Sequence, residues 1–334
     1  MNTFGKNLRL TTFGESHGKA MGGILDGVPA GVSLSMDLIL RQTARRRPGQ
    51  SHLVTSRDEK DIPEFLSGLT EGMVTLGTPI GFMVRNTDQR SSDYDAMACL
   101  YRPNHADFTY DARYGIRDPR GGGRASARET LNWVIAGAIA RQLPFMKGIS
   151  VEAEIISIGG VTGDGGLMAQ EVEKAMREGD SVGGVVQCVV AGVPAGVGDP
   201  VFGKLHARLA HAMMSINAAK GFEYGDGFAA ASMRGSAHAD IFSSRDGVVA
   251  TLTNHSGGIQ GGISNGGDIV FRVAFKPTPT LLRDVPTVDR DGNPAVLKAK
   301  GRHDPCVALR AVPVVEAMAA LTVADVMMDS GYGC

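Results

Sequence analysis

The chain has 334 residues, 43% of them hydrophobic, with 34 basic against 35 acidic side chains; it is long enough for one large domain or two smaller ones, and its charge gives no general case for nucleic acid. It has no uninterrupted apolar run of 18 residues and no basic-then-apolar N-terminal segment, so a soluble, cytoplasmic chain with no membrane contact is expected. Its four cysteines are scattered and form no CxxC pair, which argues against structural zinc or a disulfide framework, whereas its 45 glycines are nearly twice the usual share of about 7% and cluster as loops folded round a ligand would.

The segment LRLTTF (8–13) alternates as a short strand and runs into Gly14, Glu15, Ser16, His17 and Gly18. A carboxylate, a hydroxyl and an imidazole between permissive glycines suit proton transfer and anion contact at a pocket mouth; the alternative is a polar turn. A strand and turn follow over 21–31. A helix is expected from about Ser35, with Leu38, Arg41 and Arg45 on one face, ending in Arg45, Arg46, Arg47, Pro48 and Gly49. Between Asp37 and Asp58 stand Arg41, Arg45, Arg46, Arg47 and Arg57 without an acid. That excess marks either a solvated helix end or an anion site.

Residues 61–66 read as a short helix, residues 69–86 as a hairpin, and the polar stretch from Thr87 to Gly123 as a long functional loop containing Arg102 and His105. Ser126 followed by Glu129 forms a capping box, and Leu131, Val134, Ile135, Ala138 and Ile139 continue an apolar stripe to Pro144. Arg120, Arg124 and Arg128 crowd that helix start. Cations there oppose the helix dipole, so a negative partner, a phosphate above all, is expected.

A second half begins near 149, with an alternating strand over 149–160, a helix over 167–177 and a buried strand over 183–192. GVPAGV at 27–32 recurs at 192–197, each copy after a strand and before a helix, which suggests a duplicated strand–helix unit. Asp199 and Pro200 read as cap and first residue of the next helix. His206 and His211, five apart, suit a surface or packing role better than metal binding. NHSGGIQGGISNGG (254–267) permits close backbone approach to a flat or anionic group. The segment 268–280 shows period-two apolar residues ending in Lys276, prolines and threonines, and Pro313 is expected to start the last helix.

These pieces together resemble chorismate synthase over nearly the whole chain. The motifs are TTFGESHG (11–18), RRRPG (45–49), NTDQRSSDY (86–94), RPNHAD (102–107), RGGGRASARET (120–130), GVPAGVGDPVF (192–202), MSINAAKG (214–221), NHSGGIQGGISNG (254–266) and GRHDPC (301–306). The resemblance implies an α/β (α+β) fold, a β-α-β sandwich forming one domain over 1–334 with possible halves 1–148 and 149–334. It implies a homotetramer that converts 5-enolpyruvylshikimate 3-phosphate to chorismate and phosphate, the last shikimate-pathway step in aromatic amino-acid biosynthesis. Reduced FMN is the implied cofactor of this trans-1,4-elimination, with no net redox change. Members of the family differ in whether they reduce their own flavin; no dinucleotide fingerprint or extra domain appears in this sequence, so an external source of reduced flavin is expected.

By the same resemblance, His17 is the acid at the departing phosphate, His105 supports the anionic reduced flavin, and Asp304 relays a proton with flavin N5. Ser16, Arg46, Arg102 and Arg128 match substrate contacts. Arg124, Ala125, Ser126, Asn217, Ala218, Gly261, Lys276, Pro277, Thr278, Pro279, Thr280 and Arg302 match flavin contacts, and Arg46 with His52 matches the family's NADP position. Three features depart from the pattern: His52 replaces a basic residue, Asn104 stands where glycine is common, and the segment around 159–166 is short.

Overall fold

The computed structural model describes residues 1–49, 52–54, 59–86, 98–119, 121–298 and 304–332. Arg57, Arg120, Arg302 and His303, and residues 87–94 of the NTDQRSSDY motif, lie outside the described residues.

The first sheet is built from β1 (Thr3–Phe4), β2 (Arg9–Gly14), β3 (Ala20–Asp26), β4 (Glu64–Phe65) and β5 (Ile80–Arg85), in the order β1-β2-β3-β5-β4, with α1 (Met36–Arg46) between β3 and β4. Two helices follow, α2 (Asp107–Tyr114) and α3 (Thr130–Ala140). The second sheet comprises β6 (Ser150–Ile158), β7 (Val161–Thr162), β8 (Gly184–Ala191), β9 (Ala219–Tyr224) and a later strand, with α4 (Gly165–Arg177) and α5 (Leu205–Met214) interspersed. A short α6 (Gly235–His238), the hairpin β10 (Phe242–Arg245)–β11 (Val248–Thr251) and the small hairpin β12 (Ile259–Gln260)–β13 (Ile263–Ser264) precede that strand, β14 (Ile269–Phe275). The sheet order is β7-β6-β8-β14-β9. A last hairpin, β15 (Asp284–Val288)–β16 (Pro294–Lys298), leads to α7 (Ala308–Asp329).

Both sheets bury one face against a shared helical layer. Along β8 and β14 every second residue is buried, as period-two strands with one covered face require. Helix α3 packs on β2, β3 and α7, and α7 packs on β6 and β8; the helices therefore lie between the sheets. All of α3 except Trp133 is buried, consistent with a helix that is apolar all round. At Gly137 a Cβ would lie 2.5 Å from the Ala317 Cβ of α7, so only a hydrogen lets the two axes approach this closely. Helix α7 is long and apolar enough to span a bilayer, but its apolar stretch is 89% buried inside the protein and it serves as the core helix.

The repeated hexapeptide occupies equivalent places in the two sheets. In the first copy Gly31 N–H donates to the Thr75 carbonyl, Val32 N–H to Thr75 Oγ1, and Thr75 Oγ1 to the Pro29 carbonyl (2.6 Å). In the second, Gly196 N–H donates to the Ser264 carbonyl, Val197 N–H to Ser264 Oγ, and Ser264 Oγ to the Pro194 carbonyl (2.6 Å). The same sequence makes the same three bonds to a hydroxyl residue far along the chain.

Several local expectations give way to tertiary contacts. Residues 61–66 are no helix: Pro63 biases the residue before it toward extended backbone, and Glu64–Phe65 pairs with β5 as an edge strand. The expected hairpin over 69–86 keeps only its second arm, because β5 pairs with β3 and β4 and the first arm is reduced to a Leu69–Thr75 bridge. The long loop contains α2, ended by Gly115 in the left-handed conformation, a stop signal that was present in the sequence. Helix α5 starts at Leu205, not Pro200, because the Gly262 carbonyl accepts the Leu205 N–H at 2.8 Å. Pro313 lies within α7 rather than at its start. Ser126 caps only the short 3-10 turn Ala127–Glu129, and Glu129 does not complete the box: its carboxylate binds Arg124, Asn132 and Trp133.

Candidate active site

The strand β2 delivers the GESH turn to a cleft of about 350 Å³, within the size range of small-molecule sites. Gly18 N–H donates to the Glu15 carbonyl at 2.9 Å and the Asn86 amide binds the carbonyls of Glu15 and Gly18, which fixes the turn. Ser16 and His17 are buried in the cleft wall, with Ser16 Oγ 3.1 Å from His17 Nδ1. The glycines of 121–123 make room for these side chains. A Cβ on Gly121 would stand 2.3 Å from His17 Nδ1, and one on Gly122 would stand 3.2 Å from His105 Nε2.

Arg46, at the end of α1, reaches the same cleft. It donates to Thr130 Oγ1 (3.2 Å), to Asp61 (3.4 Å) and to the Ala127 carbonyl (2.7 Å). Burial pulls its ionisation down to about 9, with Arg310 adding to the fall and Asp61 opposing it. Arg128 donates to Asn86 and to Asp61 at 3.0 Å, and its other terminus pairs with Glu59 at 2.5 Å. Arg102 grips Asp107 through two 2.7 Å bonds and also donates to the Gly121 carbonyl. His105 Nδ1 sits 3.0 Å from the same carboxylate. Burial works to raise Asp107, but the bonds from Arg102 and His105 hold it far below the usual carboxylate range.

Arg124 and Arg128, at the start of α3, thus have protein carboxylates as partners: Glu129 for Arg124, and Glu59 and Asp61 for Arg128. This corrects the expectation that a bound anion must supply the negative partner. An arginine carries five donors, so one held by a carboxylate retains N–H groups for a ligand while its position is fixed.

The second half completes the cleft with Asn217 and Ala218, between α5 and β9, and with Lys276, Thr278, Pro279 and Thr280 after β14. Lys276 Nζ donates to the Asn104 carbonyl at 3.0 Å, and burial, then Lys220, lowers its pKa. Asn104 has φ +58°, in the left-handed region where glycine is easiest and asparagine is tolerated. Asn217 Oδ1 and Thr278 Oγ1 are buried with no hydrogen-bond partner among the described residues. Two orphaned polar atoms in the wall of a cleft fit a polar ligand.

The expected residues are mostly, though not all, brought together. His17, His105, Asp304, Ser16, Arg46, Arg102, Arg128, Ala125, Ser126, Asn217, Ala218, Lys276, Thr278, Pro279 and Thr280 line the cleft. Arg124 does not: it faces an adjoining cavity that shares Asn217, held by Glu129 and Thr12. Pro277 is exposed beside the cleft. Gly261, at the β12–β13 turn, borders a different cavity of about 610 Å³ with His206, Tyr224 and His255. His52 faces solvent, 3.1 Å from Glu173. His206 stacks on Tyr224 and His211 on Phe4, so both pack. Arg310 and Glu59 line the cleft without having been anticipated. A charge inside the apolar run that begins α7 was the available signal for Arg310; Glu59 offered none.

The sequence profile described as chorismate synthase matches residues 8–328. The chain belongs to the chorismate synthase family. It is 53% identical over 358 aligned residues to the chorismate synthase of Porphyromonas gingivalis, covering 100% of this chain and 97% of that one. It is 51% identical over 347 residues to that of Bacteroides thetaiotaomicron, covering 97% of each. A crystal structure of chorismate synthase superposes with a TM-score of 0.76 at 30% identity, covering 98% of this chain and 93% of that one. The sandwich described above is therefore the α+β fold of chorismate synthase, and the family is one of lyases acting at the last shikimate-pathway step.

Proposed function

We propose that this chain converts 5-enolpyruvylshikimate 3-phosphate to chorismate and inorganic phosphate by trans-1,4-elimination in the cleft around His17, with reduced FMN as cofactor. The observation that carries this reading is the convergence of His17, three anchored arginines and two orphaned polar atoms on one cleft. A substrate with a phosphate and two carboxylates suits several guanidinium groups, and Arg46, Arg102 and Arg128 would bind it. His17, beside Ser16, would give a proton to the departing phosphate, a task suited to a group titrating near neutrality. Asp304 would hold and move a proton at its carboxylate. Ala125, Ser126, Asn217, Ala218, Lys276 and Thr278 to Thr280 would hold the flavin, Asn217 and Thr278 using atoms otherwise unsatisfied, with Arg302 completing its site. Reduced FMN, when bound, supplies electron density to the reacting system and undergoes no net oxidation. His105, oriented by Asp107, would support that group's anionic form.

The wider organisation belongs to the same proposal. The chain is read as one domain of two duplicated halves, 1–148 and 149–334, a reading supported by the matched hydrogen bonds of the repeated hexapeptide. It would act as a cytoplasmic homotetramer fed with reduced flavin by another protein; turnover in air with oxidised FMN and NADPH alone would oppose that last point. Arg46 and His52 remain the candidate NADP contacts.

The test is phosphate release and chorismate formation under anaerobic conditions with chemically reduced FMN, run alongside a panel of other phosphorylated acids. Turnover of a different phosphorylated acid alone would overturn the assignment. Tight flavin binding without any turnover would leave a binding scaffold instead. Within an active enzyme, His17→Ala is expected to lower the single-turnover rate about 10²–10⁴-fold while substrate affinity changes far less. Near-normal turnover in that variant removes His17 from the chemistry.

A further inference from the structure

We infer that Arg310 is a positioning residue that sets the Asp304 carboxylate against the end of α1, and that turnover depends on it through Asp304. This rests on the proposed role of Asp304 in handling a proton. Arg310 stands on the first turn of α7 and lines the cleft. Its Nη1 donates to Asp304 Oδ2 at 2.6 Å and its Nε donates to the Arg46 main-chain carbonyl at 3.0 Å. The Arg310 and Asp304 side chains are each only 18% exposed.

The placement is electrostatically unfavourable without such a task. A cation on the first turn of a helix opposes the macrodipole. This one also stands near the buried Arg46 and works against its ionisation. Both costs are offset by the two acceptors it holds. Arg46 is the last residue of α1, where carbonyls lack intrahelical partners, so Arg310 caps α1 with one nitrogen and holds the acid with another. A planar guanidinium is rigid between those nitrogens. It therefore fixes the spacing between Asp304 and the helix end from which the Arg46 side chain enters the cleft. Arg310 acts through the carboxylate and is not itself assigned to the reacting atoms.

A double-mutant cycle tests this on the full-length protein with reduced FMN and 5-enolpyruvylshikimate 3-phosphate. Arg310→Gln, Asp304→Asn and the double variant are compared by anaerobic single-turnover rate and by substrate dissociation constant, on preparations whose far-UV spectrum and melting temperature show folding. Arg310→Gln is expected to slow the single-turnover rate on the order of 10- to 100-fold, the effect of a misplaced group, with the dissociation constant changed less than about threefold. The double variant is expected to be no slower than Asp304→Asn alone, because the residue through which Arg310 acts is already gone. Multiplying of the two losses in the double variant would overturn the proposal, as would a rise in dissociation constant matching the loss of rate, which would make Arg310 a substrate contact. If Arg310→Gln does not fold, Arg310→Lys keeps the charge but reaches only one of the two acceptors, and the same cycle is run with it. A normal rate in Asp304→Asn would remove the Asp304 reading itself, and the separate Arg310 measurement distinguishes that failure from failure of the positioning role.

Discussion

Asp107 is the acid on which the entrance of α2 and one side of the cleft depend, and Asp107→Asn tests that dependence. Its carboxylate is 5% exposed and receives two bonds from the Arg102 side chain and one from the Arg102 N–H. His105 Nδ1 at 3.0 Å and Arg117 at 2.9 Å complete its surroundings. An amide at this position keeps the size but leaves the buried Arg102 guanidinium without its carboxylate, and leaves Arg117 with only the more distant Asp111, at 3.7 Å. Removing one member of a buried ion pair costs about 3–5 kcal/mol. At about 2 °C per kcal/mol for a chain of this size, the melting temperature should fall by roughly 6–10 °C. The pH dependence follows from the depressed folded-state pKa. A carboxylate held below its unfolded value of about 3.9 contributes stability that is complete above that pH and is lost as pH falls toward the folded value. The gap between the wild type and Asp107→Asn should therefore shrink below about pH 4. Urea unfolding from pH 7 down through that range measures it. A gap below about 1 kcal/mol at pH 7, or one that widens below about pH 4, would refute the reasoning.

Three other substitutions separate packing from chemistry. Gly137→Ala should destabilise by about 1–3 kcal/mol, as overpacking does, because the new methyl meets Ala317 of α7; unchanged melting would show that α3 and α7 can separate at no cost. Glu316→Gln should lower stability by roughly 3 kcal/mol, since this buried carboxylate receives Arg45, Arg141 and the Ala153 N–H, and should leave the single-turnover rate within about twofold because it lies away from the cleft lining. Arg46→Ala should weaken substrate binding roughly 10- to 100-fold, the worth of a charge-assisted contact, read by equilibrium titration; unchanged affinity would confine Arg46 to a structural role with Asp61.

Where local chemistry is decisive, the sequence was enough. The period-two strand β14, the strand β8, the helix α4 and the repeated GVPAGV were all legible, because each follows from neighbours within one or two turns of chain. The family motifs likewise named most of the cleft lining, including His17, His105 and Asp304. Other readings failed where a distant group overrides local preference. Leu205 begins a helix because the Gly262 carbonyl lies across from it, and Glu64–Phe65 is extended because β5 offers an edge.

Electrostatic balance was the least legible property of all. The run of arginines at 45–47 and those at 124 and 128 showed a local excess of charge, from which a missing anion was a fair inference. Only the fold brings Glu59 and Asp61 to Arg128, Asp61 to Arg46, and Glu316 to Arg45. Charges interact through space, and spacing along the chain does not fix that distance. The sequence therefore determined which groups were available and the lyase family to which they belong. The tertiary structure decided which of those groups neutralise one another and which are left facing the cleft.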